Sequence, residues 1–167
     1  MSVMAFVGAL YKDEECFDSA LKMLKDLFGD TLYESLPTIW RYSDYYNEEL
    51  GSPLKRRFIF FKRQISQDAL PEIKKDVMSI EAKLSKDGKR TINLDPGYMT
   101  LSKVVLSTRK DYSHRVCIGN GLFAEVTLIY SRKSGFEPTR FTYPDYRSPE
   151  TLALFNKMRE TLKGLLT

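Results

Sequence analysis

The chain has 167 residues, 43% hydrophobic and 29% charged, with a net charge of +4 and a pI near 9.0. That length suits one soluble globular domain over residues 1–167, since two halves would each bury too little core. The charge is too mild for the dense positive field of a dedicated nucleic-acid binder, yet it allows attraction to phosphate-bearing ligands. No apolar run approaches the roughly 20 residues of a membrane span. Cys16 and Cys117 share no short spacing and lack the companions of a zinc site, so two free, reduced thiols are expected. The apolar run at residues 3–10 lacks a basic lead-in and stops at Lys12-Asp13-Glu14-Glu15, unlike a secretion signal. A cytoplasmic protein is the expectation.

Residues 4–11 read as a buried strand. Asp13 follows as an N-cap, with Glu14 and Glu15 where the helix dipole favours anions. Phe17, Ala20, Leu21, Leu24, Leu27 and Phe28 recur at helical spacing, and Gly29 closes that helix. Residues 32–36 and 39–42 read as extended, interrupted by Pro37. The acidic, aromatic stretch Asp44-Tyr45-Tyr46 with Glu48 and Glu49 reads as a short helix or loop. Its carboxylates suit Mg²⁺ or Mn²⁺ better than zinc, although no fixed spacing specifies either ion.

Residues 55–63, KRRFIFFKR, alternate so that Arg57, Ile59 and Phe61 face one way and Arg56, Phe58 and Phe60 the other. A strand apolar on both faces in its middle belongs at the centre of a sheet, with its charges at the two edges. Ser66 or Asp68 starts a second long helix carrying Leu70, Ile73, Val77, Ile80 and Leu84, and residues 91–94 form a short strand. Strand, helix, strand, strand, helix, strand is the order of the ferredoxin-like split unit. Residues 101–108 fit a strand or a helix. Ser148-Pro149-Glu150 opens a last helix with Pro at its first position. The expected fold is α+β: a mixed, largely antiparallel sheet with three main helices.

The strongest local signal is Asn120-Gly121 between two apolar runs, which predicts a two-residue type I′ hairpin turn. Gly119 then pairs with Leu122, Val116 lies opposite Glu125, and His114 lies opposite Thr127. His114, the chain's single histidine, shares a face with Glu125 as its diagonal neighbour, about 7–8 Å away at the backbone. A carboxylate there would orient the imidazole for general acid–base work. A purely structural His–Glu contact is the competing interpretation. A register shifted by one residue would separate the two side chains onto opposite faces.

Asp95-Pro96-Gly97-Tyr98 has Pro and Gly where a type II turn wants them, with Asp95 bonding its own turn or serving as an acid or metal ligand. Lys103, Arg109, Lys110 and Arg115 surround this stretch as a solvated face or a phosphate cluster. Asp145 caps the turn before the last helix, and Arg147 would help hold an anion at that helix's N-terminus. Phosphate-loop, dinucleotide and nucleophile-elbow motifs are absent, which disfavours Walker-type nucleotide hydrolases, classical dinucleotide enzymes and α/β-hydrolases.

Several segments together carry a family resemblance: Val7-Gly8-Ala9-Leu10, Asp44-Tyr45-Tyr46 with Glu49 and Gly51, Arg57-Phe58, and Glu125-Val126-Thr127-Leu128, with NLDPGY at 93–98, KDYSHR at 110–115 and TYPDYR at 142–147. The chain resembles the prokaryotic domain of unknown function 4416 family over nearly its whole length. The resemblance implies no established activity and carries over no catalytic residues. Members sometimes bear a GTP-binding label, and this chain lacks a recognisable GTP motif.

The leading expectation is a binding domain for a phosphate-bearing ligand, a nucleotide or a nucleic acid. Lys103, Arg109, Arg115 and Arg147 would supply charge, Tyr98 and Tyr146 stacking faces, and Asp145 a polar contact. The alternative is a hydrolase or transferase using His114 with Asp95, Asp111 and Glu125, with or without a divalent metal. A third is a protein-interaction scaffold.

Overall fold

The first strand, β1 (Ser2–Tyr11), is apolar nearly throughout and buried from Val3 onward. Only a strand covered on both faces accommodates such a run. In the computed structural model, which describes residues 2–167, β1 pairs antiparallel with β4 (Lys55–Ser66) on one side and β5 (Ile92–Met99) on the other. The outer edge of β4 is covered by β2 (Thr31–Glu34) and β3 (Thr38–Ile39). The order β2-β4-β1-β5, linked by helices α1 (Glu14–Phe28) and α3 (Leu70–Lys83), is the ferredoxin-like arrangement expected from the sequence. The short helix α2 (Asn47–Leu50) lies in the loop between β3 and β4.

The sheet then continues beyond β5 through β6 (Lys103–Thr108), β8 (Leu122–Ser131) and β7 (Val116–Gly119), with β9 (Gly135–Pro138) also on β8. Residues 101–108 resolve as a strand because Val104 and Leu106 fill the core under one face and Val105 packs on the other. Every pairing among the described residues is antiparallel.

Alternation divides the apolar residues between two cores. Ala5, Val7, Ala9, Ile59 and Phe61 meet α1 and α3, whereas Met4, Phe6, Phe58 and Phe60 meet the C-terminal helix α4 (Pro149–Leu166). Phe155 of α4 is the hub of the second core, with ring centroids 5.1 Å from Phe6, 5.6 Å from Phe58 and 5.8 Å from Tyr146. Ser148 caps α4 by accepting the Thr151 amide. These contacts pin the preceding 3₁₀ turn (Pro144–Arg147) to the sheet, which places Asp145 and Tyr146 over β1 and β4.

Three sequence expectations change. Asp95, Pro96, Gly97 and Tyr98 are not a turn but the continuation of β5. Leu94 N–H and the Pro96 carbonyl both point away from β1, to Glu81 and Ser107, so the missing Pro96 N–H falls on an edge that needs no donor. Gly97 serves close packing: a Cβ there would lie 2.4 Å from the Val105 carbonyl oxygen and 2.7 Å from the Phe6 ring.

The hairpin turn forms, with positive φ at Asn120 and Gly121, but a bulge between Cys117 and Gly119 shifts the register. Val116 therefore faces Ala124 rather than Glu125. Thirdly, Arg56 does not emerge at an edge; it is 7% exposed, inside the α4 face of the sheet.

Candidate functional site

β5 pairs with β1 along its whole length but with β6 only from Gly97 to Met99. Before Gly97 the two strands part, and a cleft of about 1020 Å³ opens between them, at the large end of small-molecule sites. Its walls come from β5, the end of β6, α3, the segment around residues 40–49 and the 3₁₀ turn before α4.

The free edge of β5 is satisfied by side chains. Glu81 of α3 accepts the Leu94 amide at 2.8 Å and Arg90 Nη1 at 3.0 Å. Burial raises the Glu81 pKa above the usual carboxylate value, against the lowering effect of the Leu94 amide, Lys74 and Arg90. Arg90 also donates to both oxygens of Glu49, at 2.7 and 2.9 Å, and to Asn93 at 2.8 Å. Asn93 in turn donates to Asp95 Oδ2 at 2.9 Å.

At the floor, Arg56 Nε and Nη2 each lie 3.0 Å from Asp145 Oδ2, and the guanidinium reaches Asp95 Oδ2 at 3.4 Å. Burial opposes that charge, but Asp145 and Asp95 outweigh it and hold the Arg56 pKa above its ordinary value. Gly8 lies beneath, where a Cβ would be in ordinary van der Waals contact, 3.4 Å from Arg56 Nη1 and 3.5 Å from the Tyr146 hydroxyl. That hydroxyl and Asp145 Oδ1 are buried without a hydrogen-bond partner. Two unsatisfied buried polar atoms on consecutive residues are costly in a folded chain and call for an explanation.

A second cluster stands behind the β8 wall. His114 Nε2 lies 2.6 Å from Glu125 Oε2, which also accepts Arg115 Nε at 3.0 Å. The expected pair therefore meets although the expected register does not hold. His114 lies outside β7, in a turn closed by the Arg115 N–H to Tyr112 carbonyl bond, and that turn swings its ring back onto Glu125. The imidazole stacks on Phe141 at 4.4 Å, and its Nδ1 is buried without a partner. Glu125 lines the cleft, while His114 supports it from outside.

The remaining expected residues separate. Asp95, Arg109, Asp145 and Tyr146 line the cleft with Glu125. Arg115 touches it indirectly, through Glu125 and through the Tyr143 hydroxyl at 2.8 Å. Tyr98 is packed against Val3, Leu70 and Val105 on the α3 face and donates to Gln67, so it offers no stacking face to the cleft. Lys103 lies at the far end of β6 from the parting, Asp111 is exposed outside the cleft, and Arg147 donates to the carbonyls of Thr142 and Thr139. Asp145 caps no helix; Ser148 does.

Sequence reasoning missed Arg56, Glu81, Arg90, Lys74 and Trp40, whereas Tyr45 and Tyr46, already marked as part of an acidic, aromatic stretch, join Trp40 and Tyr42 in an aromatic wall. Among the described residues no three His, Cys, Asp or Glu side chains gather closely enough to hold a metal, so no Mg²⁺ or Mn²⁺ ligands are assigned.

The walls carry a pH signature. Burial, with Asp95 adding to it, pushes the Tyr46 pKa up to about 12, and burial pushes Tyr146 well above its ordinary value. An unfolded tyrosine ionises near 10, so above that pH the unfolded chain releases protons the native one keeps. These tyrosines thus leave stability unchanged below about pH 10 and lower it between pH 10 and about 12. Tyr46 contributes about 2 kcal/mol to that fall. The urea midpoint of wild type should fall relative to that of Tyr46→Phe as pH rises through this window; parallel curves would contradict the assignment.

The family model described as a domain of unknown function (DUF4416) matches residues 1–162. Comparison with curated proteins and with solved structures gives no match.

Proposed function

The chain belongs to the DUF4416 family, and we propose that its cleft binds a small phosphate-bearing ligand with an aromatic ring, in the manner of a nucleotide, in a prokaryotic cytoplasm. One observation carries this: the cleft arginines Arg56 and Arg90 are paired with carboxylates, whereas Lys74, Arg109 and Lys110 make no ion pair among the described residues. Lys74 is 6% exposed, so its charge is held in the wall, close enough to Glu81 to favour that carboxylate but in no ion pair with it. α3 runs antiparallel to β5, since Leu70 packs on Tyr98 and Glu81 bonds Leu94. Lys74 therefore stands level with the last residues of β6, and Arg109, just beyond that strand, lines the same cleft. Lys110 follows, donating to the Tyr45 hydroxyl at 3.0 Å and lying 4.7 Å over its ring.

The aromatic wall supports the rest of the ligand. Trp40 and Tyr46 are half-buried and packed edge-to-face at the cleft, and stacking of a base on such a ring is worth about 1–3 kcal/mol. Cys16 and Cys117 are free, as a reducing compartment would keep them, and no described helix is long and apolar enough to cross a membrane.

Thermal-shift titration with nucleotides tests the proposal. A rise in melting temperature that disappears in Lys74→Ala/Arg109→Ala is expected; no rise with any nucleotide at millimolar concentration contradicts it.

A second reading, hydrolysis or group transfer, rests on Glu125. Its carboxylate lines the cleft and is fixed by His114, Arg115 and Thr127. In that reading Glu125 is the acid or base, with Asp95 and Asp145 across the cleft, and His114 positions it. Glu125→Gln would then abolish turnover of a phosphoester while leaving its binding intact.

A further inference from the structure

The charge arrangement of the cleft restricts what kind of phosphate ligand it takes. Five carboxylates line the walls: Glu49, Glu81, Asp95, Glu125 and Asp145. Each is engaged by an arginine: Arg90 for the first two, Arg56 for the aspartates, Arg115 for Glu125. Those arginines are therefore unavailable to a phosphate, which needs donors and positive charge not already satisfied. The lining cations outside any ion pair are Lys74 and Arg109, with Lys110 held only by a tyrosine hydroxyl. Two to three positive charges match a phosphate monoester dianion. They do not match the more highly charged chain of a triphosphate in a cleft that five carboxylates also line.

Asp95 adds a second restriction. Its Oδ2 accepts all three bonds from Asn93 and Arg56, and its side chain is 26% exposed at the cleft. Oδ1 thus presents an acceptor, which suits a hydroxyl or amino group of the ligand and repels a second phosphate.

Building on the nucleotide-like reading above, we propose that the cleft takes a mononucleotide-sized phosphate monoester. Its phosphate sits on Lys74 and Arg109, its ring against Trp40 and Tyr46, and a donor on Asp95. A nucleoside triphosphate or a nucleic-acid strand is not its ligand.

Isothermal titration of the full chain in EDTA, and again with Mg²⁺, separates the cases. The probes are the four common nucleoside monophosphates, their nucleosides and triphosphates, inorganic phosphate and a single-stranded decanucleotide. At least one monophosphate is expected to bind tenfold or more tightly than its own nucleoside, its triphosphate and the oligonucleotide. Lys74→Ala should weaken the monophosphate about tenfold and leave the nucleoside unchanged. A triphosphate with or without Mg²⁺, or the oligonucleotide, binding as tightly as the monophosphate would overturn this inference while leaving the cleft a nucleotide site. Equal loss of nucleoside and monophosphate affinity in Lys74→Ala would likewise overturn the phosphate placement. Absence of heat for every compound would overturn the nucleotide reading itself.

Discussion

Arg56→Met should destabilise the protein by about 3–5 kcal/mol, because removing one partner of a buried ion pair strands the other. Asp145 is 3% exposed and takes Arg56 Nε and Nη2 on one oxygen, while its other oxygen already lacks a partner. Without the guanidinium it becomes a buried, unpaired carboxylate. Asp145→Asn in the same background should restore part of the loss, since a neutral amide is far cheaper to bury than a charge. Urea denaturation measures both. A loss within about 0.5 kcal/mol, the usual range for an exposed surface substitution, would mean that Arg56 does emerge at the sheet edge.

Gly97→Ala should cost about 3 kcal/mol, at the upper end of what overpacking does. The new methyl would meet a backbone carbonyl oxygen at 2.4 Å, and backbone has no rotamer with which to yield. β5 and β6 are bonded to one another only from Gly97 onward, so separating them there would lengthen the parting and widen the cleft. Chemical denaturation of Gly97→Ala therefore tests this close approach, and a stability equal to wild type would contradict it.

The sheet was legible where one period ran long enough to identify a face. Residues 4–11 and 55–63 are apolar on both sides because helices cover both sides, and that fact is written in their alternation. Ser148-Pro149 and Gly29 marked helix ends through backbone requirements that do not depend on distant partners.

Asp95-Pro96-Gly97-Tyr98 misled for a physical reason. Pro and Gly fit a turn by local geometry, yet here each answers to a neighbour in space, Pro96 to a free strand edge and Gly97 to Phe6 and Val105. The hairpin register failed for a smaller reason: one bulge beside Gly119, whose φ of 101° extends the left-handed turn by a residue.

The candidate site was half legible. Asp95, Arg109, Glu125, Asp145 and Tyr146 were identifiable as polar groups in short, specific segments, and the structure brings them to one cleft. Arg56 carried a usable signal, since it shares its strand face with Phe58 and Phe60 and a charge on a buried face requires a partner. That partner lies 89 residues away, beyond any local pattern. Lys74 and Glu81 were hidden in a helix whose apolar stripe dominated its appearance, and only the parting of β5 from β6 reveals what their side chains face. Tyr98 had the right chemistry on the wrong parity, one residue from the face that Gly97 shares with Asp95.

Trp40 is the chain's single tryptophan, and it lies in the cleft wall with its ring 5.3 Å from the Arg56 guanidinium. Its emission, excited at the red edge to avoid nucleotide absorbance, therefore reports on this cleft alone. Titration with nucleoside monophosphates should give a saturable change in Trp40 emission in wild type and none over the same range in Lys74→Ala/Arg109→Ala. A calorimetric binding isotherm accompanied by unchanged Trp40 emission would put the ligand elsewhere on the molecule and contradict the assignment of the parted strands as its site.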